Sequence, residues 1–196
     1  MPRLVLLLLA ALVALPAWAG SATTETEEAT LRSRGVVVRE LRAREEGAVR
    51  IEALVDVQAS MAAVWAAVID FPARVAINKS LKSVAPYRSA QGSELWYRFT
   101  GSSLGIEFVY HNHYRLSPDR TSLSYELDRT QPNDLDSNQG SFELLPSPAG
   151  AGWVRVIYEA ESNFGHSIPT AMQRWLSTSG AKDFMADIAR RAEATK

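Results

Sequence analysis

A chain of 196 residues, 46% of them apolar, with 21 Lys+Arg against 22 Asp+Glu, has material for one packed core and a formal charge of only −1. That balance argues against the basic footprint of a nucleic-acid binder. The lack of any cysteine excludes a disulfide framework, thiolate metal ligation and cysteine catalysis together.

At the N-terminus, Arg3 precedes an almost unbroken run of Leu, Val and Ala over residues 4–15, followed by Pro16-Ala17-Trp18-Ala19. A basic residue, a short apolar stretch and a small-x-small site are the parts of a secretory signal peptide, and the run is short for a membrane span. The expected signal is residues 1–19, cut after Ala19, which removes Arg3 and no acid. Export without cysteine fits a bacterial periplasmic protein whose core is large enough to need no staples. Residues 20–34 include Thr23-Thr24-Glu25-Thr26-Glu27-Glu28, are polar without periodicity, and read as a flexible leader. Ordered structure is expected over residues 35–196.

Val36-Val37-Val38 and residues 49–57 are rich in β-formers and flank residues 42–47, which gives a hairpin turning near Glu45-Glu46-Gly47. The period then changes. Ser60 suits an N-cap, and Met61, Val64, Trp65, Val68 and Ile69 follow at helical spacing until Phe71-Pro72 stops the helix. A second short helix is expected over about residues 73–81, ending before Pro86. Next come alternating strands: Leu95, Tyr97, Phe99; then Ile106, Phe108, Tyr110, Asn112, Tyr114, Leu116; then Leu123, Tyr125, Leu127. Gly101-Ser102-Ser103 and Ser117-Pro118-Asp119 punctuate them. A further pair spans residues 140–145 and 152–162, joined by Pro146-Ser147-Pro148-Ala149-Gly150. From Ile168-Pro169 to about Glu193 runs one long helix whose stripe is Met172, Leu176, Gly180, Phe184 and Ile188, with Gln173 and Arg174 off the stripe. The only large surface able to bury that stripe is the concave face of the sheet.

This order of elements resembles the helix-grip superfamily of START-related lipid transfer domains, polyketide cyclases and dehydrases, and coenzyme-Q-binding proteins (SRPBCC). The resemblance lies in Val55-Asp56-Val57-Gln58-Ala59-Ser60-Met61-Ala62-Ala63-Val64-Trp65 into Asp70-Phe71-Pro72, in Gly140-Ser141-Phe142-Glu143-Leu144 through residues 152–160, and in the helix after Pro169. It spans residues 35–194. It implies an α+β fold: a curved antiparallel sheet wrapped around a long C-terminal helix, with two short helices after the first strands. The family's motifs are loose patterns and speak for fold more than for activity. Arg74-Val75-Ala76-Ile77 stands where the family has an aromatic and a proline, a departure at the pocket entrance.

Four chemical signals compete with plainer readings. Gly101-Ser102-Ser103-Leu104-Gly105 matches the Gly-x-Ser-x-Gly elbow, but a strand pattern follows it where a hydrolase needs a helix, so a hairpin turn is expected. His111 and His113 share one side of a strand as some metal ligands do, but their companions Glu107 and Arg115 point to a solvated face and no third ligand is near. Asp134, Asp136, Glu126 and Asp128 could supply paired carboxylates, yet nothing in the sequence brings them together. The aromatics exceed what one sheet and one helix need for a core, so some are expected to face a ligand.

The expected function is therefore periplasmic binding or transport of a hydrophobic small molecule in an internal cavity. The resemblance implies a lipid, sterol-like, isoprenoid or polyketide-like ligand; a monomer with room for transient membrane contact and with no nucleic acid, cofactor or metal is the accompanying expectation. The candidate ligand-binding residues are Trp65, Phe99, Phe108, Tyr110, Asn112, Tyr125, Phe142, Tyr158, Met172, Trp175, Leu176, Gly180 and Phe184, and no catalytic residue is assigned. Two alternatives remain open: a cyclase or dehydrase on the same fold, and a protein-interaction module with a collapsed cavity.

Overall fold

The computed structural model describes residues 22–103, 105–165 and 168–195; the expected signal peptide and its cleavage site lie outside them. One antiparallel sheet of eight strands forms the framework, in the order β1-β2-β8-β7-β6-β5-β4-β3. The strands are β1 (Val37–Leu41), β2 (Val49–Val57), β3 (Leu81–Gln91), β4 (Glu94–Ser103), β5 (Ile106–Leu116), β6 (Ser122–Leu127), β7 (Ser137–Pro146) and β8 (Val154–Asn163). Among the described residues four α-helices complete it, α1 (Glu25–Arg32), α2 (Met61–Ile69), α3 (Arg74–Ile77) and α4 (Thr170–Glu193), with a short 3-10 turn at Phe71–Ala73 leading into α3. This is the helix-grip architecture, with α4 lying along the concave face of the sheet.

Alternation along the strands sorts the side chains. Val55 and Val57 of β2, Phe142 and Leu144 of β7, and Val154 and Val156 of β8 all face inward and are buried. Against them pack Val64, Trp65 and Val68 of α2 and Met185, Ile188 and Ala192 from the second half of α4. Ser60 caps α2 by accepting a hydrogen bond from the Ala63 amide at 3.2 Å. At the other end of α2, Arg191 of α4 donates to the Ala67 carbonyl at 2.8 Å, satisfying one of the carbonyls a helix C-terminus leaves open. This half of the grip is therefore closed.

Three expectations are corrected. Residues 25–32, read as part of a flexible leader, form α1, which begins with a capping box between Thr24 and Glu27. Leu31 is fully buried with Val37, Leu54 and Ile157 on the convex side of the sheet. The second short helix ends at Ile77, and residues 81–91 form β3, a strand bearing Pro86. Proline is tolerated there because β3 is an edge strand and its outer side needs no ladder bond. Gln173, placed off the helix stripe, is buried: its amide donates to the Ile168 carbonyl at 2.7 Å and its oxygen accepts from the Phe164 amide at 3.3 Å. It thereby ties the β8–α4 connection to the helix it introduces.

Candidate ligand cavity

The other half of the grip is open. Between β2, β4, β5 and β8 on one side and α3 with the first half of α4 on the other lies a cavity of about 480 Å³, within the range of about 300–1,000 Å³ common for small-molecule sites. The division follows from which residues each element offers at that end. Along α4 the packed residues Met185 and Ile188 give way to Gly180, where an added Cβ would meet nothing within 4 Å. Missing side-chain volume on the helix becomes empty space beneath it.

Ten of the thirteen candidate residues line this space: Phe99, Phe108, Tyr110, Asn112, Tyr125, Tyr158, Trp175, Leu176, Gly180 and Phe184. Trp175 stands at the mouth with 64% of its surface exposed. The other three do not line it. Trp65 of α2 lies in the closed half, and Phe142 is packed at its border, stacked on Tyr158 at 4.4 Å and edge-on to Phe184 at 5.7 Å. Met172 sits in the first turn of α4, off the cavity wall. For Trp65 and Phe142 the physical reason is shared: the helix or strand period places them on the inner face, but in its packed half; Met172 precedes the stretch of α4, from Trp175 on, that forms the wall.

Several lining groups gave no sequence signal. Asn138 and Ser162 enter with Asn112 in a relay across β8, β7 and β5. Ser162 Oγ donates to Asn138 Oδ1 at 2.8 Å, Asn138 Nδ2 to Asn112 Oδ1 at 3.1 Å, and Asn112 Nδ2 to the Tyr114 hydroxyl at 3.1 Å. The hydroxyls of Tyr125 and Tyr158 pair at 3.1 Å. Polar atoms at the floor are thus largely committed to one another, beneath walls that mix aromatic rings with the polar side chains of the rim. Burial pushes the phenols of Tyr110, Tyr114, Tyr125 and Tyr158 above their ordinary value, an effect that a nearby cation, Arg74, partly offsets. Near neutral pH they are hydroxyls that donate hydrogen bonds and do not accept protons as bases.

Arg74 was not a candidate. It projects from α3 into the cavity over the rings of Phe184 at 4.3 Å, Phe71 at 4.8 Å and Phe142 at 5.9 Å. A lone arginine among apolar residues, Ala73 before it and Val75-Ala76-Ile77 after it, reads as the solvated side of a short helix; only the tertiary fold turns it inward.

The remaining chemical signals resolve on the outer face and the rim. His111 is on the convex side as expected, but it is buried rather than solvated, because the loop of residues 128–136 folds over it. The Asn133 side chain accepts from its amide at 2.7 Å, and its Nδ1 lies 3.0 Å from the Pro132 carbonyl. His113 stacks on Trp96 at 4.8 Å. Among the described residues no cluster of three potential metal ligands forms. Ser103 ends β4 at the hairpin leading to Ile106, with Gly105 at φ +80° and no helix following. A fluorophosphonate probe should therefore leave Ser103 unlabelled, as peptide mass mapping would check; stoichiometric labelling there would restore a hydrolase reading.

The same architecture occurs in solved structures. A STAR-related lipid transfer protein (fragment 25–204) from Xanthomonas axonopodis shares 16% identity, covering 81% of this chain and 93% of that one, with a TM-score of 0.62. The Zhui aromatase/cyclase from Streptomyces sp. R1128 shares 14% identity over 76% of this chain and 96% of that one, with a TM-score of 0.59. A START superfamily protein from Mycobacterium smegmatis gives 17%, 75% and 99%, and 0.58. At such identities the likeness establishes the fold. No protein-family model and no curated protein sequence matches the chain. The chain has the helix-grip fold that these structures share. Its particular character lies in an open, aromatic-walled cavity with an arginine inside.

Proposed function

We propose that the protein binds a hydrophobic small molecule in this cavity and carries it through the bacterial periplasm. The observation that carries the reading is the cavity itself: about 480 Å³ under a helix whose wall contains Gly180, walled by aromatic rings and floored by polar groups already paired with one another. Apolar surface of a ligand removed from water there gains about 25 cal/mol per Å². The lipid transfer protein among the structural neighbours supports the class of ligand. An interaction module with a collapsed cavity does not fit, since the cavity is open.

A cyclase reading draws support from the aromatase/cyclase neighbour, but it needs a proton acceptor inside. The buried phenols are poor ones, and Asp183, the one carboxylate on the cavity wall among the described residues, is exposed at the rim. Native mass spectrometry of protein purified from a periplasm tests the carrier reading. A bound mass released on unfolding and identified as a lipid is the expected result; a ligand-free protein that also takes up no added lipid would overturn it.

Export supplies a further prediction. The apolar run of residues 4–15 acts as an address and not an anchor, so N-terminal sequencing of the exported protein should read from Gly20 in a detergent-free fraction. Intact Met1 recovered with membranes would sink the periplasmic assignment.

A further inference from the structure

The guanidinium of Arg74 faces the cavity with a charge that no described residue balances. Its Nε and Nη2 are buried and have no hydrogen-bond partner, and no carboxylate of the described residues forms an ion pair with it. Its surroundings are the ring faces of Phe71, Phe142 and Phe184, which attract a cation but offer its N–H groups no acceptor in the ring plane, and the Tyr114 hydroxyl, a neutral partner that leaves Nε and Nη2 unpaired. The side-chain amides that could have turned toward it, Asn112 and Asn138, are engaged with each other. Two buried guanidinium nitrogens without acceptors are costly unless something pairs with them, and the planar fork of an arginine matches an oxyanion bidentately.

We propose that Arg74 is the head-group anchor of the cavity, and that the ligand is an apolar body ending in one anionic group, a carboxylate or a phosphate monoester. This rests on the reading of the cavity as a ligand site and specifies what that site selects. The anion sits against Arg74 between the aromatic rings, and the apolar body extends under Gly180 toward the mouth at Trp175. Charge selects the ligand class, and the walls tolerate variation in the apolar part.

Four amphiphiles of one chain length separate the outcomes: dodecanoate, dodecyl phosphate, dodecanol and dodecylamine, titrated calorimetrically into the full-length mature protein. Wild type should bind one or both anions about tenfold or more tighter than dodecanol, since hydrogen bonds to a charged partner are the strong ones, and dodecylamine weakest of all. Whichever anion is preferred identifies the head group. Arg74→Met should lose that preference while still binding dodecanol, which doubles as its folding control, and Arg74→Lys should keep part of it because the charge survives without the fork. Equal binding of dodecanol and both anions by wild type, or a preference that persists in Arg74→Met, overturns the anchor while leaving the cavity reading intact. Failure of wild type to bind any of the four overturns both.

Discussion

Replacing Gly180 by leucine should weaken uptake of a fluorescent lipid about tenfold to a hundredfold without unfolding the protein. The position lines the cavity from α4, and a Cβ built there meets nothing within 4 Å, so the new side chain grows into empty space and not into packed core. A leucine there excludes roughly two to four methylenes of ligand from the apolar wall. At about 0.8 kcal/mol per buried CH₂ that is roughly 1.6–3 kcal/mol of binding. Gly180→Ala isolates the backbone contribution: it should leave uptake nearly unchanged and stabilise the helix by about 1 kcal/mol, because glycine in a helix interior is the poorer choice. The check is a paired titration and thermal melt of the two variants. If Gly180→Leu keeps full uptake, the ligand does not lie beneath this part of α4, whatever its stability.

Gly180 also shows what could be read before the fold was known. Strand alternation from Leu95 through Leu127, the cap at Ser60, the stop at Phe71-Pro72 and the length of α4 are local signals, and the sheet face, α2 and α4 follow from them. The cavity wall was legible to the same depth, because inner-face phase follows from the period. Which end of the grip is open was not. It depends on how far α2 and the Met185–Ile188 half of α4 press into the sheet, and that sends Trp65 and Phe142 into the core. Arg74 was legible only as part of a departure at the pocket entrance, and its role was not, for a related reason: its charge is made unusual by Phe142 and Phe184, both remote in sequence. β3 carried no alternation because it is an edge strand with mostly exposed residues. For α1 a local signal did exist, the Thr24 to Glu27 capping-box spacing, but a helix of 8 residues with one buried residue, Leu31, is too short and too polar to stand out as a periodic run. What holds it down is charge supplied from other elements.

That charge predicts the largest stability loss on the convex face. Arg155 of β8 should be indispensable there, and Arg155→Met should cost about 3–5 kcal/mol in denaturant unfolding. Its Nε and Nη2 bond Asp56, the residue directly opposite on β2, at 2.8 and 2.9 Å; its Nη1 and Nη2 reach Glu28 of α1 at 2.7 and 3.0 Å. The Asp56 side chain is only 1% exposed, so removing the arginine strands a buried carboxylate. Arg39 repeats the device on β1, holding Glu27 of α1 at 2.7 Å and Glu52 of β2 at 2.8 Å. Hydrogen bonds from Arg155 and then Thr23 hold the Glu28 carboxyl at about 2, below its ordinary 4.5, and those from Arg39 and Thr24 do the same for Glu27. Folded values below the unfolded ones mean that the clamp contributes in full above pH 4.5, weakens as the pH falls below that, and is gone below about 2. Amide exchange should therefore show α1 opening in acid ahead of the sheet. In Arg155→Met the same helix should open already at neutral pH, and adding Asp56→Leu should recover most of the lost stability, since an apolar pair replaces the stranded charge. A loss of about 1 kcal/mol or less in the single variant would mean that the pair behaves like a surface ion pair, and that Leu31 and its three apolar neighbours hold α1 without it.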